Sequence, residues 1–435
     1  MTLSALSVAG FQPLPQELTD MIIDELEEDV TSLLACSLAC RSFLSPSRRR
    51  IFSGIAFDNA DDIRGFHAIC TESPEISYCV KRLHLQKIPN WSATADEHFV
   101  PIMKTLVNLE CLSLENISFR DLSMEVMTKT CSYRLKTLAL EDLTVDNTQE
   151  LCSFLRGCHH LQTLSISGNL ILSGDQPPPS LRGDDNPSTV PSLRHLTVTC
   201  TPGSRRLLNT LLTYSTPPVR IDGLEHLAMH MQFDGDPYDH LSVENLSLWK
   251  RIIDLNRDRD ALISVSALFM QACIDGRTPP PFDLSLSHLR ALSVDLGDLP
   301  DILEVDIVEV NPLPILRWWT NALRPSRNAP TRLESLRIQL YLDDNSTQCT
   351  STAGKEAWAS LDSVLGDESY PLRRLMIRLI GGEDSPLGEI PRILDVTENV
   401  IRDSMPRLVQ KGALSFTKDF GDSESDEEDE WGVVY

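Results

Sequence analysis

The sequence predicts an α/β protein in which a short helical segment precedes a long array of strand–helix units. Near the start, apolar residues recur every four positions, which is the spacing of one face of a helix. From Val80 to Leu161 a Leu-x-x-Leu-x-Leu pattern returns at intervals of about 26 to 29 residues, and its later copies lie more than 30 residues apart. Segments with helical spacing lie between its copies, so we expect a parallel sheet on the inner side of the array and helices on the outer side.

Length and charge limit the classes of partner. The chain has 435 residues, 41% of them hydrophobic, and this exceeds the size at which one compact core stops growing. Several domains or an elongated repeat array are therefore expected. The formal net charge of -24 opposes binding to nucleic acid and to anionic membranes, because like charges repel. We therefore expect protein partners, no nucleic acid and no membrane.

The cysteines and the N-terminal residues predict a cytoplasmic or nuclear protein, or one found in both places. The 11 cysteines are scattered and form no Cys-x-x-Cys pair, which is typical of reduced thiols rather than of a disulfide framework. Residues 1–12 contain no basic residue ahead of their apolar ones, so we expect no secretory signal. No window approaches the run of about 18 apolar residues that a membrane span requires.

Two helices are predicted at the start of the helical segment. Pro15 suits a first helical turn, and the stripe that follows it gives a helix of about three turns. Asp29 or Thr31 can cap a second helix. The first helix carries Leu14, Leu18, Ile22 and Leu26, broadened by Met21 and Ile23, and the second carries Leu33, Leu34, Leu38 and Cys40.

A third helix is predicted where a cap is again followed by proline, at Ser45 and Pro46. Its apolar side would consist of Ile51, Phe52 and Ile55. A segment of about 45 residues rarely supplies enough core to fold firmly alone. We therefore expect one of its faces to be buried against something else.

The helical segment resembles the F-box family over residues 11–57. The resemblance is carried by Leu14-Pro15, Glu17-Leu18, Ile22-Ile23, Leu26, Leu33-Leu34 and Cys40-Arg41. It implies that the helices bind the Skp-family adaptor of a cullin-RING ubiquitin ligase, and through it the cullin and RING subunits. The adaptor-binding residues that it implies are Leu14, Pro15, Leu18, Ile22, Ile23, Leu26, Leu33, Leu38 and Arg41. The alternative is an ordinary three-helix cap for the array that follows.

The array, residues 75–416, has the spacing of leucine-rich repeats. Its nine pattern windows begin at Val80, Leu109, Leu135, Leu161, Leu193, Leu224, Leu289, Leu333 and Leu372. Helices are predicted at 147–158 and 203–214, and a final helix at 390–405 precedes a strand at 413–416. One strand between Met229 and Leu289 is missing or disguised, and we favour a helix over the pattern match that begins at Val243.

Two proline-rich stretches, 173–191 and 276–282, are predicted to be loops that leave the array. With them, the whole chain resembles F-box proteins with irregular leucine-rich repeats, especially the fungal type. The resemblance implies an α/β fold with an N-terminal three-helix F-box and an irregular leucine-rich-repeat solenoid behind it.

The inner face of the predicted sheet is the candidate surface for a protein client. In each strand the residues before, between and after the two later leucines point to that face. This selects Arg82 and His84 near the start of the array and Arg337, Arg374 and Arg378 near its end. The three later arginines could converge on one phosphate or carboxylate of a client. The alternative is that they pair with local acids such as Asp343 or Glu383.

The end of the chain is strongly acidic. Residues 419–430 include eight acids and no basic residue, so self-repulsion and a lack of apolar residues predict a disordered tail over 417–435. Without those eight acids the net charge would be -16 rather than -24. Ser423 and Ser425 each have an acid three residues later, as acidophilic kinases prefer, but a solubilising tail is the simpler interpretation.

Enzymatic motifs are absent from the sequence. It contains no Walker A loop, no Gly-x-Ser-x-Gly elbow and no His-Glu-x-x-His helix. Cys158-His159-His160 resembles a metal cluster, but its position at a junction between helix and strand explains its polarity better. We therefore expect no catalytic residues, no metal and no cofactor. The F-box resemblance implies a non-catalytic substrate-recognition subunit of a cullin-RING ubiquitin ligase, and the alternative is an interaction scaffold in a non-degradative assembly.

Overall fold

The computed structural model describes residues 14–26, 29–88, 91–92, 96–122, 124–146, 148–172, 190–213, 217–230, 243–256, 262–266, 289–296, 313–324, 331–342, 347–368, 370–381 and 390–419. The described residues fall into two compact units, one that ends at Leu161 and one that begins at Gln162. Both combine parallel strands with helices, which confirms the α/β prediction.

The first unit begins with three helices. They are α1 (Gln16–Asp24), α2 (Val30–Ala39) and α3 (Arg41–Ile51). The predicted cap of the second helix is present, because the Asp29 carboxylate accepts a hydrogen bond from the Ser32 backbone N–H at 2.9 Å. Helices α1 and α2 both pack against α3, which also contacts the 3-10 turn at Pro74–Cys79.

Four parallel strands follow in the same unit, and helices connect them. The strands are β1 (Gly54–Phe57), β2 (Arg82–Gln86), β3 (Cys111–Glu115) and β4 (Thr137–Glu141), and the helices are α4 (Ala60–Glu72), α5 (Phe99–Thr105), α6 (Met124–Cys131) and α7 (Thr148–Gly157), with a short strand β5 (Thr144–Val145). Leu83, Leu112 and Leu138 align across β2, β3 and β4 and are buried. The repeated leucines therefore form stacked rows of core residues, as their spacing predicted.

The second unit contains the remaining strands and helices. The strands are β6 (Thr163–Ser167), β7 (Ile171–Leu172), β8 (His195–Thr199), β9 (His226–His230), β10 (Leu262–Ser266), β11 (Ala291–Leu296), β12 (Ser335–Leu342), β13 (Arg374–Gly381) and β14 (Leu414–Asp419). The helices are α8 (Pro202–Thr213), α9 (Val243–Leu255), α10 (Leu313–Ala322), α11 (Thr352–Leu365), α12 (Ile390–Ser404) and α13 (Pro406–Gln410). Apart from β7, each strand is parallel to the next.

The structure corrects the prediction for the third helix. Helix α3 begins at Arg41 rather than at Ser45, and Pro46 lies inside it. The break occurs at Cys40, whose extended backbone (φ -158°, ψ 164°) separates α2 from α3. Ile55, expected on this helix, instead lies in β1 beside Leu83. The predicted 11–57 segment therefore includes the first strand of the sheet.

The later boundaries also differ from the prediction. The disguised strand is β10, which pairs with both β9 and β11. Its register aligns Ile263 with Leu227, so Asp260 stands where the pattern has its first leucine. The segment at Val243 is helical, as predicted. Strand β14 continues to Asp419, beyond residue 416 and into the predicted tail. The stretches 173–189 and 276–282 and the tail from 420 onward lie outside the described residues.

A left-handed residue follows three of the strands. Asn116 after β3 has φ 56°, Asp142 after β4 has φ 50° and Gly168 after β6 has φ 60°. Asparagine, aspartate and glycine tolerate this conformation better than other residues. The turn after these strands is therefore a further part of the repeat, and the Asn, Asp or Gly that directly follows each strand indicates it in the sequence.

Candidate functional site

Helix α1 exposes a stripe of large apolar side chains. Leu18 is 45% exposed, Met21 60% and Ile22 43%, and Leu14, just before the helix, is 52% exposed. Pro15 is exposed as well. Side chains four residues apart lie on one helix face, so Leu18 and Ile22 form a row, and the exposed Leu14 lies just before the helix. Leu26, just after the helix, is half-buried.

Helix α2 exposes a second stripe. Val30 is 52% exposed, Leu34 50% and Leu38 87%. Their spacing of four residues places them on one face of the helix. Arg41, at the start of α3, is also exposed.

Two of the predicted adaptor-binding residues do not lie on this surface. Ile23 on α1 and Leu33 on α2 have no exposed area and belong to the core of the three helices. Ile23 follows the exposed Ile22, and Leu33 precedes the exposed Leu34. One position along a helix turns a side chain by about 100°, so the neighbours face different sides. Their role in the structure is to hold α1 and α2 in place, and we omit them from the candidate surface.

Ion pairs attach α1 to α3 on the side away from the exposed stripe. The Arg50 guanidinium lies 2.6 Å from the Asp24 carboxylate, and Arg49 lies 3.9 Å from Asp20. Arg48 lies 3.9 Å from Glu75, in the 3-10 turn that precedes β2. These exposed pairs add little stability, and they link α1 to α3 and α3 to the 3-10 turn.

In the first unit, the sheet face holds the predicted Arg82 and His84 among acids that the prediction overlooked. Arg82 is exposed, and His84 Nε2 lies 3.2 Å from Glu115 Oε2. Gln86 Nε2 donates a hydrogen bond to Glu115 Oε1 at 2.9 Å. Burial, followed by the nearby Glu115 carboxylate, raises the pKa of Glu141. Two acids, Glu115 and Glu141, therefore lie beside the predicted Arg82 and His84 on this face.

In the second unit, the three predicted arginines lie on one face of neighbouring strands. The register of β12 and β13 places Arg337 beside Met376, Arg374 beside Ser335 and Arg378 beside Gln339. The Arg378 guanidinium lies 2.5 Å from the Asp419 carboxylate on β14. Asp419 is thus the local acid for Arg378, whereas Asp343 and Glu383 lie outside the described residues.

A histidine pair on the same face of the second unit was not predicted. The rings of His195 and His226 meet edge to face with centroids 4.6 Å apart. Burial is the largest cause that lowers the pKa of each, and the neighbouring His195 lowers that of His226 further. Both histidines stand at the first position of their strands, a signal visible only once the strands are aligned.

The described residues contain no group of three His, Cys, Asp or Glu side chains placed to hold a metal ion. In the Cys158-His159-His160 cluster, Cys158 is buried and both histidines are exposed. Burial raises the pKa of the Cys158 thiol to about 12. Within the described part of the chain, no helix has the length and apolar character to cross a membrane.

No protein-family model matches the chain, and no curated protein matches it.

Proposed function

We propose that the chain is a substrate-recognition subunit of an SCF-type cullin-RING ubiquitin ligase, with an F-box formed by α1 to α3 and leucine-rich repeats formed by the strand–helix units. The observation that carries this proposal is the pair of exposed apolar stripes on α1 and α2. Soluble proteins seldom expose large apolar patches unless a partner covers them. We assign the cover to a Skp-family adaptor because the stripes contain the residues of the F-box resemblance.

The exposed contact surface consists of Leu14, Pro15, Leu18, Ile22, Leu34 and Leu38, with Leu26 half-buried and Arg41 at its edge. Binding here would place apolar helix faces into a groove on the adaptor. Ile23 and Leu33 keep the helices folded, so the anchors need not reorganise before binding. In this proposal α3 links the adaptor-bound helices α1 and α2 to the start of the sheet.

The sheet faces are the proposed client surface. Side chains between the buried leucines project there from β2, β3, β4 and β12, and their chemistry changes along the chain. The first unit offers Glu115 and Glu141, and the second offers Arg337 and Arg374. The chain itself carries no transfer chemistry in this proposal, because the cullin and RING subunits bring the ubiquitin-charged enzyme. We propose that it acts in the cytoplasm, the nucleus or both.

The test is capture of a purified Skp-family adaptor by the full chain. Leu14→Ala combined with Pro15→Ala should abolish capture and leave the repeats folded. Val107→Ala is a matched control, since Val107 is 49% exposed in the first unit but lies outside the three helices. Retained capture by the Leu14/Pro15 variant would contradict the proposal.

Reconstitution distinguishes a ubiquitin-ligase receptor from a scaffold in a non-degradative assembly. The chain is combined with the adaptor, the cullin and RING subunits, ubiquitin and its activating and conjugating enzymes, together with proteins that the chain captures when residues 14–41 are altered. Ubiquitination of a captured protein supports the receptor function. Adaptor binding with no ubiquitination of any captured protein would support a scaffold instead.

A further inference from the structure

Two histidines of the first unit meet through the same ring nitrogen. His67 lies on α4, and His98 directly precedes α5. Their Nδ1 atoms are 3.1 Å apart. The ring centroids are 4.9 Å apart and the ring planes are inclined by 46°. The rings therefore diverge behind the two nitrogens instead of stacking face to face.

Contacts that do not involve His67 hold His98 in place. Asp96 Oδ1 accepts hydrogen bonds from the backbone N–H groups of His98 at 2.7 Å and Phe99 at 3.0 Å, and Asp96 Oδ2 accepts one from the Trp91 indole at 2.8 Å. Phe99 has no exposed area, and the Trp91 ring packs edge-on against it with centroids 5.2 Å apart. The segment that carries His98 is thus anchored to the core, so the histidine pair joins two separately fixed elements.

The spacing of the two nitrogens matches that of two ligands on one zinc ion. Zinc binds imidazole nitrogen at about 2.0 to 2.1 Å. Two nitrogens at that distance from one ion lie about 3.3 Å apart at a tetrahedral angle and about 2.9 Å apart at a right angle. The observed 3.1 Å lies between these values. An intermediate angle suits zinc, because its filled d shell imposes no preferred geometry.

A neighbouring carboxylate favours the tautomer of His98 that a metal ion requires. Glu97 Oε1 lies 3.5 Å from His98 Nε2. A carboxylate beside one ring nitrogen favours the proton on that nitrogen and leaves the lone pair on the other, as in carboxylate–histidine–zinc arrangements. The lone pair of His98 Nδ1 then faces His67, whose Nδ1–H donates to it in the metal-free chain.

We propose that His67 and His98 bind a zinc ion through their Nδ1 atoms. When the ion binds, the Nδ1 proton of His67 moves through solvent to Nε2 of the same ring, so both ligands remain neutral. Among the residues that the structure describes, no group of three His, Cys, Asp or Glu side chains is placed around an ion, so water completes the coordination. The ion joins the helix that follows β1 to the helix that follows β2, and this inference is independent of the adaptor-binding proposal.

Titration calorimetry of the full chain, freed of metal by a chelator, with zinc chloride tests the site. The titration is run at about pH 7.5, because imidazole binds zinc only when it is neutral. We expect saturable binding, and His98→Gln should weaken it at least about tenfold, because two tethered ligands act together. The matched control is His159→Gln with His160→Gln, two exposed histidines of the same unit, and it should bind zinc as the unaltered chain does. Absence of saturable binding, or equal affinity of the His98→Gln variant, would overturn the proposal.

Amide hydrogen exchange of the unaltered chain, with and without zinc, locates the ion and requires no variant to fold. Protection should increase in residues 60–72 and 96–105, because an ion bound only by the folded state stabilises the two segments that it joins. Magnesium chloride should cause no such change, since magnesium prefers oxygen ligands. If zinc protects only other segments, or if both ions protect these residues equally, the proposal is wrong.

Discussion

The adjacent residues Leu33 and Leu34 allow the fold of α2 to be tested separately from its binding surface. They are the same residue type on the same helix, yet Leu33 has no exposed area and Leu34 is 50% exposed. Truncation of Leu33 should therefore affect folding, whereas truncation of Leu34 should affect binding. Leu38, at 87% exposure, belongs with Leu34.

The magnitudes follow from the buried and exposed fractions. Complete burial of a leucine side chain contributes about 1.5 to 3 kcal/mol. An adaptor that covers the exposed half of Leu34 and nearly all of Leu38 would gain about 2 to 4 kcal/mol from the two together. Leu34→Ala with Leu38→Ala should therefore weaken binding by a factor of about 30 to several hundred. The same variant should lose no more than about 1 kcal/mol of unfolding free energy.

Leu33→Ala should lower the stability of the fold more than it weakens adaptor binding. It removes fully buried methyl groups and leaves a cavity between the helices, which costs about 2 to 5 kcal/mol. Amide hydrogen exchange of residues 30–39 measures this local stability, and titration calorimetry with the adaptor measures binding. If the Leu34/Leu38 variant binds like the unaltered chain, or if it unfolds α2 as Leu33→Ala does, the separation between core and contact surface is wrong.

Three further predictions concern the second unit. Asp362→Ala should lower the unfolding free energy, measured by denaturant titration, by about 1 to 3 kcal/mol. The reason is that this buried carboxylate accepts backbone hydrogen bonds from Arg407 at 3.1 Å and Leu408 at 2.9 Å. Asp362→Asn, which retains an acceptor, should lose less in the same titration. Asn256→Ala should lower the unfolding free energy by a similar amount, about 1 to 3 kcal/mol. The buried Asn256 side chain, at the end of α9, accepts a hydrogen bond from the Leu224 N–H and donates one to the Ile221 carbonyl, each at 2.8 Å, and so joins α9 to the chain that enters β9. Burial lowers the pKa values of His195 and His226 from their ordinary 6.5, so the unfolded chain binds protons more readily than the folded chain. The unfolding free energy should therefore be greatest above pH 6.5 and decline as the pH falls below it. Changing both histidines to Gln should flatten the dependence between pH 7 and 5, and an unchanged slope would contradict the assignment.

Much of the fold could be predicted because the repeat spacing reports a physical requirement. Every strand must bury its leucines against its neighbours, so the spacing survives wherever the core does. Strand β10 escaped detection because Asp260 replaces the first leucine of the pattern, while Ile263 and Val265 keep the register positions of Leu227 and Met229. The later two positions of the pattern are thus more informative than the first.

The third helix shows where local signals mislead. Ser45 and Pro46 have the residue types of a helix start, but Cys40 adopts the extended conformation that begins α3. Proline inside a helix costs one backbone hydrogen bond, and the packing of α1 and α2 against α3 outweighs that loss. Tertiary packing of this kind is not visible in a sequence window.

The candidate site could be predicted in outline but not in detail. The four-residue spacing identified the stripes of α1 and α2, whereas it did not separate Ile22 from Ile23 or Leu33 from Leu34, whose exposures depend on the position of α3. Likewise, the pairing of Arg378 with Asp419 joins residues 41 positions apart. Such a contact follows from the register of β13 and β14, which a single sequence does not provide.

The account depends most on whether α1 and α2 meet an adaptor. Hydrogen exchange of the full chain, measured with and without a saturating purified Skp-family adaptor, tests this directly. We predict that protection increases within residues 14–41 and that β2, β3 and β4 exchange as before. Unchanged exchange in residues 14–41, or protection confined to the strands, would contradict the assignment of these helices as the adaptor-binding surface.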